Sequence, residues 1–157
     1  MGKTDGIVVG VGGVVLREGR VLLVQHNYGP LNGRWLLPGG HVGRGENLDA
    51  AVMREVREET GIEAVPQGVV AVRSLLQEEG NLEIYIVFLM RYVRGEPVPF
   101  PAENQAVGFF TLEEVAANPL LTPLARAIIE KVMRGSCTLL PWRQEFSLDS
   151  ESYRLFG

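Results

Sequence analysis

Gly40-His41-Val42-Gly43-Arg44-Gly45-Glu46, seven further residues, and then Arg54-Glu55-Val56-Arg57-Glu58-Glu59-Thr60-Gly61-Ile62 form the stretch on which the reading of this chain turns. Leu48, Ala51, Val52 and Val56 recur at helical spacing in a segment filled with Ala, Met, Arg and Glu, so a helix is expected over Leu48 to Thr60. Asn47 suits its start, and Gly61 a left-handed stop. On such a helix Glu55, Glu58 and Glu59 share one side, because residues three and four apart are neighbours there. Like charges so placed repel by a few tenths of a kcal/mol per pair, a cost that a divalent cation would turn into binding. Carboxylate oxygens are hard ligands that select Mg2+ or Mn2+, ions that fill their remaining positions with water and substrate phosphates. The same residues also suit an ordinary solvated helix face, since Arg54 and Glu58 are spaced for an i,i+4 ion pair.

Outward from the helix, Ile7 to Leu16 and Val21 to Gln25 are apolar runs around Arg17-Glu18-Gly19-Arg20, the pattern of a β-hairpin. His26 to Gly33 reads as a loop. Trp35-Leu36-Leu37 reads as a short strand stopped at Pro38-Gly39-Gly40, where the backbone must turn or approach something closely. Val65 to Leu76 and Asn81 to Val93 read as strands joined by Gln77-Glu78-Glu79-Gly80. The second is apolar on both faces around Ile84 to Met90 and should lie centrally in a sheet. Ala106 to Phe110 adds a strand, and Leu112 to Ala117 and Thr122 to Arg134 two helices, the longer with Pro123 in its first turn. The chain is therefore expected to be α/β, a mixed β-sheet between helices. No linker or repeat divides it, so residues 1–157 are expected to form one domain, with a core of about 7–135 and a C-terminal tail of 136–157.

With 157 residues, 46% of them hydrophobic and 22% charged, the composition is that of a globular domain large enough for a core without staples. Fifteen Lys and Arg against nineteen Asp and Glu give a net charge of −4, which speaks against a partner that is a nucleic acid polymer but not against a small anion. The single Cys137 forbids an intrachain disulfide and fits a reducing compartment. No apolar run approaches the roughly 20 residues of a membrane helix, and the first residues do not start a secretory signal, so a cytoplasmic protein without a membrane partner is expected. Other motifs fail. Gly10, Gly12 and Gly13 open a dinucleotide fingerprint, but its third glycine is Val15 and a strand continues there. His26 and His41 do not form H-E-x-x-H, no G-x-S-x-G is present, and His26 is read as a surface or structural residue.

Residues 40–62 fit the pattern G-x5-E-x7-R-E-U-x-E-E-x-G-U, with U a bulky aliphatic, at every specified position. On this motif the chain resembles the Nudix hydrolases, a family that includes MutT-like enzymes, and the order of elements over residues 7–135 is similar to that family's α/β/α sandwich. The resemblance implies an enzyme that hydrolyses the diphosphate bond in a nucleoside diphosphate linked to another moiety, using Mg2+ or Mn2+. It implies that Glu58 and Glu59 bind metal, that Glu55 is a metal ligand or general base, that Arg54 orients these carboxylates and that Glu46 closes the loop onto the helix. The Gly39 carbonyl matches one that reaches the metal in some members. Glu103, ahead of Phe109, fits a further catalytic and metal-binding carboxylate, or a plain loop acid. Trp35 and Phe110 are candidates to stack a base or to fill core, and Arg34, Arg73 and Arg91 to meet substrate phosphates.

Gln77 to Gly80 stand where some subfamilies carry a proline or tyrosine tag, so the tags of ADP-ribose pyrophosphatases and dinucleoside polyphosphate hydrolases are both missing. The compact length is similar to that of members that convert nucleoside triphosphates to monophosphate and pyrophosphate, which is the expected activity. ADP-ribose or another nucleotide sugar and dinucleoside polyphosphates are the alternatives, and a nucleotide-sensing domain without catalysis is the alternative from a different class. Family precedent makes a homodimer a reasonable expectation, with the tail around Trp142 as a source of contacts.

Overall fold

The computed structural model describes residues 6–141 and Phe156. Strands β1 (Ile7–Arg17) and β2 (Arg20–His26) join through Glu18 and Gly19, both at positive φ, a turn whose twist matches that of the strands it connects. A 3-10 turn at Gly29–Leu31 and the short β3 (Trp35–Leu36) lead to β4 (Gly39–His41) and then to α1 (Leu48–Thr60). β5 (Glu63–Leu76), β6 (Leu82–Arg94), β7 (Asn104–Phe110), α2 (Leu112–Ala117), α3 (Pro123–Met133) and β8 (Leu140–Pro141) complete the order. The expected elements are present with slightly shifted ends. β4 and β8 were not expected.

The strands make one mixed sheet in the order β3-β2-β1-β6-β5-β8, with β4 also on β1 and β7 also on β2. β6 runs parallel to β1 and antiparallel to β5, the central place that its two apolar faces require. β1 pairs with β2 only at Leu16↔Val21 and Arg17↔Arg20. Nearer its start the same edge takes β4, from Gly10↔His41 to Gly12↔Gly39. The sheet forks at this point, and the fork positions the site.

Alternating side chains feed two cores. Val11, Val15, Phe88 and Met90 pack beneath Ala51, Val52 and Val56 of α1, whereas Val14, Leu23 and Val87 pack against Val115 of α2 and Ile128 and Ile129 of α3. This is the expected α/β/α layering. A capping box starts α2: the Thr111 hydroxyl accepts from the Glu114 N–H while the Glu114 carboxylate accepts from the Thr111 N–H. Arg126 of α3 donates to the carbonyls of Val115 and Ala116, satisfying the far end of α2.

Part of the segment read as a tail belongs to the fold. Leu140 and Pro141 pair with Val69 and Gly68 of β5, and Phe156 meets Phe88 edge to face with ring centroids 5.2 Å apart. Trp142 and residues 1–5 lie outside the described residues. Among the described residues no helix is long and apolar enough to cross a membrane.

The Pro38-Gly39-Gly40 stretch, expected as a turn or a close approach, is a close approach. A Cβ on Gly39 would stand 2.1 Å from the Val11 carbonyl oxygen and 2.8 Å from the Gly12 Cα, backbone atoms that cannot swing aside. Gly39→Ala should therefore destabilise the protein by about 1–3 kcal/mol, the usual cost of overpacking, read as a lower urea midpoint. An unchanged midpoint would mean that β4 does not depend on this contact.

Candidate active site

Helix α1 does not present its carboxylates as one exposed ridge. Glu59 lies three residues after Val56 and seven after Val52, on the helix's buried stripe. It is 3% exposed, whereas the Glu58 side chain is 51% exposed. Glu59 Oε2 accepts the Gly39 N–H at 3.0 Å. Burial pushes the Glu59 pKa up to about 8; that hydrogen bond opposes the rise, while the charges of Glu103, Glu55 and Glu58 add to it.

Glu55 lies against Gly40, where a Cβ would stand 2.5 Å from its carboxyl carbon. Of the turn or close approach expected here, Gly40 provides the close approach: its φ is not in the left-handed region, and the absent side chain makes room for Glu55. Gly61, at φ 74°, does end α1 as expected.

Arg54 is the hub. Its Nε and Nη2 hold Glu46 Oε1 and Oε2 at 2.7 and 3.0 Å, and its Nη1 is 2.7 Å from Glu55 Oε1 and 3.2 Å from Glu58 Oε2. Nη2 also donates to the His41 carbonyl at 3.1 Å. Glu46 in turn accepts the Gly43 N–H at 2.7 Å, so a two-pronged ion pair ties the loop to the helix. The Arg54 guanidinium holds the Glu46 carboxyl below the usual range. The i,i+4 pair and the orienting arginine read from the sequence are one and the same side chain.

Glu103 arrives from the segment before β7. Its carbonyl accepts the Asn27 N–H at 3.1 Å, and Asn27 Nδ2 donates to the Pro101 carbonyl at 2.7 Å, which closes the loop after β2 against it. The adjacent Asn104, 1% exposed, donates from Nδ2 to the main-chain carbonyl of Glu59 at 3.3 Å and so ties the start of β7 to the end of α1. His26 and Tyr28 stack here, 5.2 Å between centroids. Partial burial raises the Tyr28 hydroxyl, with the charges of Glu103, Glu59 and Glu55 adding, and partial burial lowers the His26 imidazole against the pull of Glu103. Glu55, Glu59 and Glu103 thus act on one neighbourhood.

The donor set fits a small hard cation. Every side-chain donor is a carboxylate oxygen, and one carboxylate is held back from ionising by burial and by neighbouring negative charge. Among the described residues no three His, Cys, Asp or Glu side chains are already gathered as a ligand set. Arg54 and the Gly39 N–H occupy the acids instead.

Other candidates fall elsewhere. Trp35 and Phe110, both half-buried, pack edge to face on each other with ring centroids 4.8 Å apart, against the core under α2 and α3, and are not among the residues that line the cleft beside the carboxylates. Arg34 Nη1 donates to the Pro119 carbonyl at 3.4 Å and holds the loop between α2 and α3. Arg91 is exposed in the ladder between Leu16 and Val65, and Arg73 pairs with Glu83. None of these three arginines makes a hydrogen bond or ion pair with the α1 carboxylates.

A cleft of about 310 Å3 opens beside Gly39, Gly40 and His41 and runs over Gly10 and Tyr85 towards Arg73, with Leu37, Leu124 and Ala125 among its walls. Tyr85 and His26 line it, and the sequence reading missed both. The Tyr85 ring occupies space left by two glycines: a Cβ on Gly12 would stand 1.8 Å from its hydroxyl, and one on Gly10 3.3 Å from its Cδ2. The parallel register of β1 and β6 that brings them together is not written in local sequence.

A family model for the NUDIX domain matches residues 6–132. The chain belongs to the Nudix family. It is 34% identical over 90 residues to an ADP-ribose pyrophosphatase of Methanocaldococcus jannaschii, covering 56% of this chain and 53% of that one. It is 35% identical over 78 residues to an 8-oxo-dGDP phosphatase of Homo sapiens, covering 50% of this chain and 23% of that protein. The chain spans about half the length, or less, of these curated relatives. A MutT Nudix hydrolase from Burkholderia pseudomallei superposes with a TM-score of 0.70 at 33% identity, covering 80% of this chain and 98% of its own.

The raised Glu59 pKa makes a stability prediction for the metal-free Nudix protein. Between the ordinary carboxylate value of 4.5 and about 8, the folded protein keeps a proton on Glu59 that the unfolded chain has lost, so stability falls as pH rises across that window. Thermal melts between these limits should show the fall, and Glu59→Gln should flatten it. Identical slopes in both proteins would contradict the burial argument.

Proposed function

We propose that this Nudix protein is a Mg2+- or Mn2+-dependent hydrolase of the diphosphate bond in a nucleoside diphosphate linked to another group, and that its substrate is a nucleoside triphosphate, released as monophosphate and pyrophosphate. One observation carries the reading. The carboxylate cluster and a cleft within the size range of small-ligand sites share the Gly39–His41 strand, so a nucleoside in the cleft would deliver its phosphates to the acids.

In this reading Arg54 fixes the orientation of Glu55 and Glu58, and the Gly39 N–H holds Glu59. Glu55 or Glu103 accepts on a carboxylate oxygen the proton that the attacking water loses as it reaches phosphorus. Bound Mg2+ or Mn2+ supplies charge neutralisation and water acidity of the kind that anhydride cleavage needs. Glu55, Glu58, Glu59 and Glu103, with the Gly39 carbonyl, are the groups that would hold it. Hydrolysis of ADP-ribose is a second reading, favoured by the similarity to the archaeal ADP-ribose pyrophosphatase.

Product analysis on a nucleotide panel tests this. A triphosphate should yield equimolar monophosphate and pyrophosphate only when Mg2+ or Mn2+ is supplied, whereas ADP-ribose as the substrate would yield AMP and ribose phosphate. Glu59→Gln, which removes a charged group that would hold the metal, should lower turnover by about 100-fold or more without loss of fold. Near-wild-type turnover in that variant, or hydrolysis indifferent to chelator, would overturn the assignment.

A further inference from the structure

At the end of the cleft away from the carboxylates stands a polar group that the catalytic reading does not use. Arg73 Nη2 donates to Glu83 Oε1, and Gln77 Nε2 donates to Glu83 Oε2 at 3.1 Å. The Arg73 guanidinium carbon lies 5.3 Å from the centre of the Tyr85 ring, and its Nε is buried without a hydrogen-bond partner. The side chains of Arg73 and Glu83 keep 32% and 26% exposure, and both residues line the cleft.

Register places this group relative to the acids. Arg73 of β5 pairs with Tyr85 of β6, Tyr85 with Gly10 of β1, and Gly10 with His41 of β4, so the four residues form one row across the sheet. The row spans three strand spacings, ~14 Å, comparable with the length of a nucleoside 5′-diphosphate. It ends at the strand that carries Gly39 and Gly40, against which Glu59 and Glu55 lie. A nucleotide with its phosphates there would bring the edge of its base to Arg73 and Glu83.

We propose that Glu83 and Arg73 read the base, and that they select guanine over adenine and the pyrimidines. This deepens the nucleotide-hydrolase reading and rests on it. A carboxylate offers only acceptors and a guanidinium only donors. Two contacts already fix the Glu83 carboxylate in place, and a carboxylate with about four lone-pair sites keeps two more. Guanine presents adjacent N1–H and 2-amino donors, which take those two sites in parallel, beside the O6 acceptor that suits the guanidinium. Adenine turns an N1 lone pair towards the carboxylate instead, and an unpaired buried polar group is how such sites reject the wrong ligand. The pair is electrically neutral as a unit, which suits an uncharged base rather than a further phosphate.

Binding of GMP and AMP to the metal-free protein, followed by calorimetry, tests base choice without catalysis. kcat/KM for dGTP, dATP and dITP tests it with catalysis. The expected result is a guanine preference of about 10- to 100-fold, the range of one good bidentate base contact. Hypoxanthine, which lacks the 2-amino group, should fall between guanine and adenine. Glu83→Gln should bring the guanine-to-adenine ratio towards one, chiefly through KM, because the base is remote from the phosphorus attacked. Equal binding of GMP and AMP, an adenine preference, or a guanine preference that survives Glu83→Gln would overturn the proposal. The dITP comparison uses the unaltered protein, so it decides even if the variant folds poorly. Metal-dependent turnover without base preference would sink this inference alone, and selective GMP binding without turnover of any nucleotide would sink the hydrolase reading alone.

Discussion

The close approach of β4 to β1 on one side and to α1 on the other sets the geometry of everything around it. Gly39 lies where any side chain would enter the backbone of Val11 and Gly12, and Gly40 lies where any side chain would enter the Glu55 carboxylate. With both positions bare, α1 can deliver Glu59 to the Gly39 N–H while its apolar stripe of Ala51, Val52 and Val56 still seals the core over Val11, Val15 and Phe88. The same fork in the sheet leaves Gly10 and Gly12 uncovered on the opposite face, where Tyr85 lies across them as the floor of the cleft. Site and cleft are two consequences of one packing constraint.

Charge is distributed accordingly. Arg54 pairs with Glu46, Glu55 and Glu58 together, so those acids have a guanidinium beside them, and Glu58 also faces water. Glu59 has one backbone N–H for a side-chain partner and three acids for neighbours, in a place water hardly reaches. A buried carboxylate in that condition is unfavourable to ionise until positive charge arrives. Such tension between burial and function is frequent at reactive sites, and here the fold supports it through the cores on either side of the sheet.

Much of this was legible in the chain. Periodicity gave α1 and the two later helices, and alternation gave the long strands, because each depends on neighbours within a few residues. The motif from Gly40 to Ile62 carried the family, which the domain match confirms. The inward turn of Glu59 was also written there, since Val52, Val56 and Glu59 continue one apolar stripe; the spacing to Glu55 drew attention to the wrong face. What escaped depends on distant pairing. Tyr85 matters because β1 and β6 run in parallel register, and Arg73 meets Glu83 and Tyr85 only once β5 and β6 are paired. Trp35 and Phe110 come together because β2 holds β3 and β7 on its two edges. The pairing of Leu140 with Val69 and the contact of Phe156 with Phe88 lie in a segment with no period at all.

Titration of the protein with Mn2+, followed by electron paramagnetic resonance while an indicator counts released protons, tests most directly whether these acids form a cation site. The site described here predicts Mn2+ binding near neutral pH with proton release, tightening as pH rises towards about 8 and weakened strongly in Glu59→Gln. Mn2+ that stays free in solution, or binds equally well to Glu59→Gln with no proton released, would contradict it.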